Sequence, residues 1–240
     1  MRSDNLLLVV APTKRELGGL NPGQDGALLV ATTGLGKQAA PALNLLLQTY
    51  PVRRVVSLGF AGALTPQTRA GSLVVCNSLL ASGRDPPPPL SAEGEMLDWT
   101  MAWLDRVRLP YHYGSLYTSA KLLLTPERKR RAGLASGAGV VDMEGYWLAE
   151  TAAAHGVPFL ALRAVLDGAD YTLPKLAEEI AEDQGRHEIR HTLQYVFTFW
   201  SHGPRLLPLA LRSRRAKGML RQAVQSLIPE MLREMERAAP

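Results

Sequence analysis

Val140-Val141-Asp142-Met143-Glu144-Gly145 joins a short apolar run, 139–142, to a helix-like stretch, 144–155. A second stretch, Arg163-Ala164-Val165-Leu166-Asp167-Gly168-Ala169-Asp170, follows the next apolar run, 157–163. Both place carboxylates at the carboxyl ends of strand-like segments, where α/β sheets hold their ligands. The chain around them decides whether that sheet exists.

Outward from these two stretches the chain alternates. Short Val- and Leu-rich segments at 5–11, 27–32, 52–58, 73–77 and 112–118 read as strands, bounded by Gly or Pro. Stretches 37–49, 95–107, 126–136 and 144–155 read as helices. Such alternation predicts an α/β fold in three layers, a parallel or mixed central sheet covered by helices on both faces. At 240 residues the chain is long enough for one well-buried domain, and the reading divides it into 1–174 and a C-terminal helical extension, 175–240. The extension is expected to hold one long helix at 175–200, a break at His202-Gly203-Pro204, and two further amphipathic stretches. The segment Asp85-Pro86-Pro87-Pro88-Pro89 reads as an extended loop able to border a site.

The net charge of +5 is uneven, with Arg205, Arg212, Arg214, Arg215, Lys217 and Arg221 crowding the C-terminal part. No nucleic-acid motif accompanies them, so nucleic acid is not an expected partner. An interfacial helix is suggested by Tyr195, Val196, Phe197, Phe199 and Trp200, followed by leucines and arginines. The same pattern suits the cover of the protein's own core or of an oligomer interface, and both readings stay open. The longest apolar stretch near the start, 6–11, is too short for a membrane span or a signal-peptide core, which points to a cytoplasmic protein, membrane-associated only if the tail is interfacial. The single cysteine, Cys76, lies in a strand-like run and reads as a buried, inert thiol.

Two motifs promise cofactors and do not deliver them. Gly34-Leu35-Gly36-Lys37 follows a strand and opens a helix, but no acidic residue occurs between Asp25 and Asp85 to hold a cofactor ribose. Nor is it a phosphate-binding Walker loop, since Ala31 and Gln38 occupy its first-glycine and Ser/Thr positions. His187-Glu188-Ile189-Arg190-His191 has zincin spacing, yet no Asp or Glu follows before Glu230 as a third ligand. A zinc hydrolase is thereby the weaker alternative, and neither metal nor organic cofactor is expected.

The carboxylates themselves suggest chemistry. Asp142 reads as a helix N-cap. Glu144 falls in the first helical turn, where the dipole favours the ionised form, an acceptor suited to a ribose diol. Asp167 falls in a Gly-bearing turn after the strand 157–163; burial there would raise its pKa and equip it to donate a proton.

In this order the elements resemble the purine nucleoside phosphorylase and nucleosidase superfamily. The likeness runs over roughly 5–175 and rests on the strand 6–11 with Glu16 after it, Thr33-Gly34-Leu35-Gly36-Lys37, Gly59-Phe60-Ala61-Gly62-Ala63-Leu64, Ala70-Gly71-Ser72-Leu73-Val74-Val75, and the two carboxylate stretches. The resemblance implies that Met143 and Glu144 contact the ribose and that Asp167 protonates the purine ring. It also implies that Gly59, Phe60 and Ala61 form a loop near the anomeric carbon. Glu16 resembles the residue that positions water in methylthioadenosine/S-adenosylhomocysteine nucleosidases, and its surroundings resemble futalosine hydrolases. Leu122 falls near a base-stacking position usually held by an aromatic ring. Phe60 stands where Ser or Thr is common, and Ser57 where bacterial phosphorylases carry a phosphate-binding Arg, which favours water over phosphate as nucleophile. Within the superfamily the sequence is similar to hopanoid-associated nucleosidases. That implies a purine nucleoside with a large apolar 5′ group as substrate and a homo-oligomer as the working form. A phosphorylase, or a non-catalytic nucleoside-binding protein, are the competing readings.

Overall fold

The computed structural model describes residues 5–83, 85–92, 94–173 and 207–238. Strand β1 (Leu6–Ala11) explains the layering. Leu6, Leu8 and Val10 join one hydrophobic cluster, and Leu7, Val9 and Ala11 join another on the opposite face. A strand buried on both sides reads as a continuous apolar run rather than an alternating one. Beside it lie β3 (Leu28–Thr32), with the short β2 (Gly23–Asp25) at the edge, and β4 (Val52–Ala63).

The remaining strands are β5 (Leu73–Ala81), β6 (Leu90–Ser91), β7 (His112–Thr118), β8 (Val140–Asp142) and β9 (Phe159–Asp167). Within the nine-stranded mixed sheet, β9 pairs with both β4 and β5, off the main path of the strand order. Strand β4 is parallel to β1 and β9 along most of its length and antiparallel to β8 at its last residues. The circuit β4–β9–β5–β7–β8 returns to β4, so part of the sheet closes on itself.

Helices α1 (Ala39–Thr49) and α4 (Gly145–Ala154) cover one face through Leu43, Leu148 and Ala152. Helix α2 (Gly94–Arg106) covers the other through Met96, Leu97 and Leu104. Helix α3 (Pro126–Ser136) starts with Thr125 accepting from the Arg128 amide and ends on Gly137 at φ 69°. This is the expected cap chemistry at both ends.

Three strands run further than expected. β4, β5 and β9 continue past Leu58, Asn77 and Arg163 to Ala63, Ala81 and Asp167. The glycine-rich 59–62 and the charge at 163 suppress a local strand signal, and cross-strand pairing overrides it. Gly59-Phe60-Ala61 is therefore strand, not loop, with Gly59 opposite Arg163 and Phe60 opposite Ala164.

The C-terminal part also departs from expectation. Instead of two amphipathic stretches there is one helix, α5 (Leu207–Arg237), with Pro229 inside it. Ala216, Leu220, Ala223, Val224, Leu227, Ile228 and Met231 are buried at helical spacing, all but Ala216 and Leu220 in the same cluster as α2. Trp103 donates its indole N–H to Ser226 Oγ at 3.0 Å, and Arg54 pairs with Glu234. Packing keeps the helix continuous through a proline that interrupts its backbone ladder. The apolar face of α5 thus lies on the sheet, while Arg214, Arg215, Lys217 and Arg221 face outward. Among the described residues no helix is long and apolar enough to cross a membrane. The expected helix at 175–200, the break at 202–204, the His187/His191 pair and the aromatic group at 195–200 lie outside the described residues.

Candidate active site

Residues 60–62 near the end of β4 lie between β8 and the end of β9, and Glu16, from the turn after β1, reaches the Phe60 amide. Gly62 of β4 is the pivot, opposite Val141 of β8 on one side and Asp167 of β9 on the other. Adjacent strands lie about 4.8 Å apart, which brings the two carboxylate stretches within reach of one small molecule.

Glu16 arrives from the turn after β1 and is buried. Its Oε2 accepts the Phe60 amide at 2.9 Å, and its Oε1 accepts the Thr13 hydroxyl at 2.8 Å. Phe60, which replaces a hydroxyl residue of the resembled family, still contributes through its backbone. Burial pushes the Glu16 carboxyl above the usual range; the amide, the hydroxyl and Arg163 pull against it, and Asp142 adds to the rise. A carboxyl so raised is nearer the pKa a general base needs at neutral pH.

Glu144 is buried at the N-cap position of α4, one residue before the helix, with no side-chain cap bond. It accepts from the Gly36 amide at 3.5 Å, so the Gly34-Leu35-Gly36 turn supports the site rather than a dinucleotide. Its carboxyl is pushed well up, by burial first and then by the charges of Asp142 and Glu16. The expectation that the helix dipole holds it ionised is corrected: desolvation and neighbouring carboxylates outweigh a dipole effect worth about 1 kcal/mol. Met143, beside it, is half-buried.

Asp142 ends β8 and is not the N-cap residue, a position held by Glu144, although its side chain still bonds the first amide of α4. Its Oδ2 accepts the Gly145 amide at 2.9 Å and Arg163 Nε at 3.0 Å, and its Oδ1 accepts the Thr118 hydroxyl at 2.7 Å. Arg163 is fully buried and also donates to the Ser57 carbonyl at 2.9 Å, the Leu162 carbonyl at 3.1 Å and Ser57 Oγ at 3.2 Å. A Cβ on Gly59 would stand 3.2 Å from Arg163 Nε, so the absence of a side chain at 59 makes room for the guanidinium. Cys76 shares this interior, and burial pushes its thiol up to about 12, an inert group as expected.

Asp167 is the last residue of β9, not part of the turn beyond it. Lys129 of α3 reaches it with its ammonium and donates also to the carbonyls of Gly168 at 2.9 Å and Tyr171 at 2.8 Å. Burial raises the Asp167 carboxyl, and Lys129, then Arg212, draw it back in part. Around this end, Phe60, Leu166 and Met219 pack on Ala164, Ala216 and Leu220. Leu122 packs with Leu124, Leu166, Tyr171 and Leu173, so Leu166 links the two apolar groups.

Glu16, Phe60, Glu144, Asp142 and Arg163 thus form one interacting cluster, with Gly59, Ala61 and Met143 adjacent in the chain, and Asp167 stands across Gly62 from it. Lys129 and Arg163 carried no role in the sequence reading. Arg163 had a signal: a charge inside the apolar run 159–166 demands a buried partner. Lys129 had a fainter one. It shares a helical face with Ala132 and Ser136, while its neighbours Arg128, Arg130 and Arg131 hide it among exposed charges.

The family model of the phosphorylase superfamily matches residues 18–197. Futalosine hydrolase of Streptomyces coelicolor is 31% identical over 160 residues, 58% of this chain and 65% of that protein. The chain therefore aligns with just under two thirds of that relative's length. The structure of futalosine hydrolase from Helicobacter pylori superimposes with a TM-score of 0.70 at 15% identity, covering 94% of this chain and 98% of the other. The 5′-methylthioadenosine/S-adenosylhomocysteine nucleosidase of Helicobacter pylori gives 0.67 at 16% identity, covering 93% and 99%. At those identities the structures establish the fold; the family rests on the sequence match.

Proposed function

Given that the chain belongs to the phosphorylase superfamily, we propose that it hydrolyses the N-glycosidic bond of a purine nucleoside bearing a large apolar 5′ substituent. The observation that carries this is the convergence of Glu16, Glu144 and Asp167 on the end of β4, each buried and each fixed by a different element. Names of the similar proteins, a futalosine hydrolase and a nucleosidase, support the reaction class.

Each carboxyl has a separate task. Glu144 accepts the ribose hydroxyls, whose donated hydrogen bonds favour its ionised form on binding. Asp167 gives its proton to the purine ring as the C–N bond breaks and its electron pair leaves with the base. Glu16 takes a proton from the water that adds to the oxocarbenium-like sugar. The sum is nucleoside plus water to free base plus free sugar. Water is favoured over phosphate because the guanidinium buried beside the anomeric position, Arg163, already spends its donors on Asp142, Ser57 and Leu162. Leu166 and Met219 add apolar surface that suits a greasy 5′ group better than a charged one, while Leu122 is left for the base. The enzyme is expected to work as a homo-oligomer, and contact with a membrane surface would fall to the tail beyond 174.

Incubation with a series of 5′-substituted adenosines, with and without phosphate, tests the proposal by identifying base and sugar released. Free sugar independent of phosphate, lost in Asp167→Asn, is expected. Phosphate-dependent ribose 1-phosphate would establish a phosphorylase instead. Binding without release from any nucleoside would leave a binding protein.

A further inference from the structure

Lys129 is 1% exposed, on a helix otherwise rich in solvated arginines. An ammonium has three protons, and here three acceptors meet it: Asp167 Oδ2 and the carbonyls of Gly168 and Tyr171. Those carbonyls belong to the turn that follows β9, so one cation ties α3 to the acid and to the chain after it. Both Asp167 carboxylate oxygens border Gly62, where a Cβ would come within 3.4 Å of Oδ1 and 3.5 Å of Oδ2, and of the two it is Oδ2 that Lys129 bonds.

We propose that Lys129 is the positioning residue that makes Asp167 a usable acid: it holds Oδ2, leaves Oδ1 to deliver the proton to the departing base, and balances the carboxylate left behind. The role rests on the hydrolase reading above. Its physical basis is the conjugate base. When Asp167 releases its proton in a water-poor interior, a bare carboxylate is costly, and a fixed ammonium beside it lowers that cost. Among the described residues the charged groups facing Asp167 are Lys129 from α3 and Arg212 from α5, whose guanidinium lies 4.1 Å from the centre of the Tyr171 ring. Of these two, Lys129 has the larger effect on that carboxyl and is the one that bonds it. Protonated Asp167 gives its hydrogen to the ring nitrogen, the C–N pair goes to the base, and the new carboxylate pairs with Lys129 until solvent returns a proton.

The test uses the full chain and the nucleoside that wild type turns over, with kcat and KM measured from pH 5 to pH 10 for wild type, Lys129→Met, Lys129→Gln and Lys129→Arg. Lys129→Met should lower kcat ~10–100-fold with KM nearly unchanged, less than the roughly 10²–10⁴-fold a general acid itself contributes, because Asp167 remains. It should also move the alkaline limb of the kcat profile upward by roughly 1–3 units, since the opposite charge that had lowered the acid's pKa is gone. Lys129→Arg should recover part of the rate and return the limb towards wild type. Lys129→Gln, which keeps donors for the two carbonyls without the charge, reads the same limb if the Met variant does not fold. A merely structural tether would lower thermal stability while leaving the pH limb in place, and that result overturns the proposal. Wild type releasing no base from any nucleoside overturns the hydrolase reading and this role with it. Normal wild-type release with unmoved variant profiles overturns the role of Lys129 alone.

Discussion

Replacing Arg163 with Met keeps the bulk of the side chain and removes its charge from an interior where it has no exposed surface. Asp142 then loses partners at 3.0 and 2.9 Å, and the Ser57 and Leu162 carbonyls lose theirs at 2.9 and 3.1 Å. Breaking a buried pair by removing one member costs about 3–5 kcal/mol, because the remaining charge stays buried without compensation. Two charge-assisted hydrogen bonds at about 1.5–3 kcal/mol each give the same scale. For a domain of this size each kcal/mol moves the melting temperature by about 2–4 °C, so Arg163→Met should melt roughly 6–20 °C below wild type. Against a total stability of about 5–15 kcal/mol this is a large share. Urea denaturation of Arg163→Met, Asp142→Asn and the double variant separates pairing from packing. The double variant should lose at least about 1 kcal/mol less than the sum of the singles, since it leaves no unpaired charge. Strict additivity, or an Arg163→Met variant within about 1 kcal/mol of wild type, would refute the reasoning, since mutations that share no interaction add.

Glu144→Gln should stabilise the empty protein while destroying ribose binding. The Glu144 carboxyl sits above its ordinary 4.5 in the folded chain, so its penalty is absent below pH 4.5 and grows as pH rises towards the folded value. The melting-temperature gap between variant and wild type should accordingly be small below pH 4.5 and widen as the pH rises above it, and a constant gap would contradict it. Gly145→Ala forces a Cβ to 2.5 Å from Leu116 Cδ2 and 2.7 Å from Asp142 Oδ2. Overpacking of that kind costs about 1–3 kcal/mol, read by urea denaturation, and should reduce turnover by displacing the Asp142–Arg163 pair. Leu227→Ala, at a fully buried position of α5, should cost about 2–5 kcal/mol. A loss below about 0.5 kcal/mol, typical of surface substitutions, would show that α5 does not pack on the sheet in solution.

The periodicity of the chain determined the layers and placed the helices, as α3 illustrates: its span 126–136, its Thr125 cap and its Gly137 stop are all local signals. Glu144 and Asp167 stood out as candidates because a carboxylate at the end of an apolar run is conspicuous in sequence, whereas Glu16 became a candidate only through the family resemblance. Tertiary structure decided what local pattern cannot encode. The strands β4 and β9 run on through glycines and an arginine because each supplies the other's hydrogen bonds. Glu144 is pushed up because folding buries it, and because Asp142 beside it and Glu16 from a distant part of the chain add their charges. Lys129 and Arg163 acquire their roles only when folding buries them beside Asp167 and Asp142. A charge's meaning depends on its dielectric surroundings and its partners, and both are properties of the folded chain.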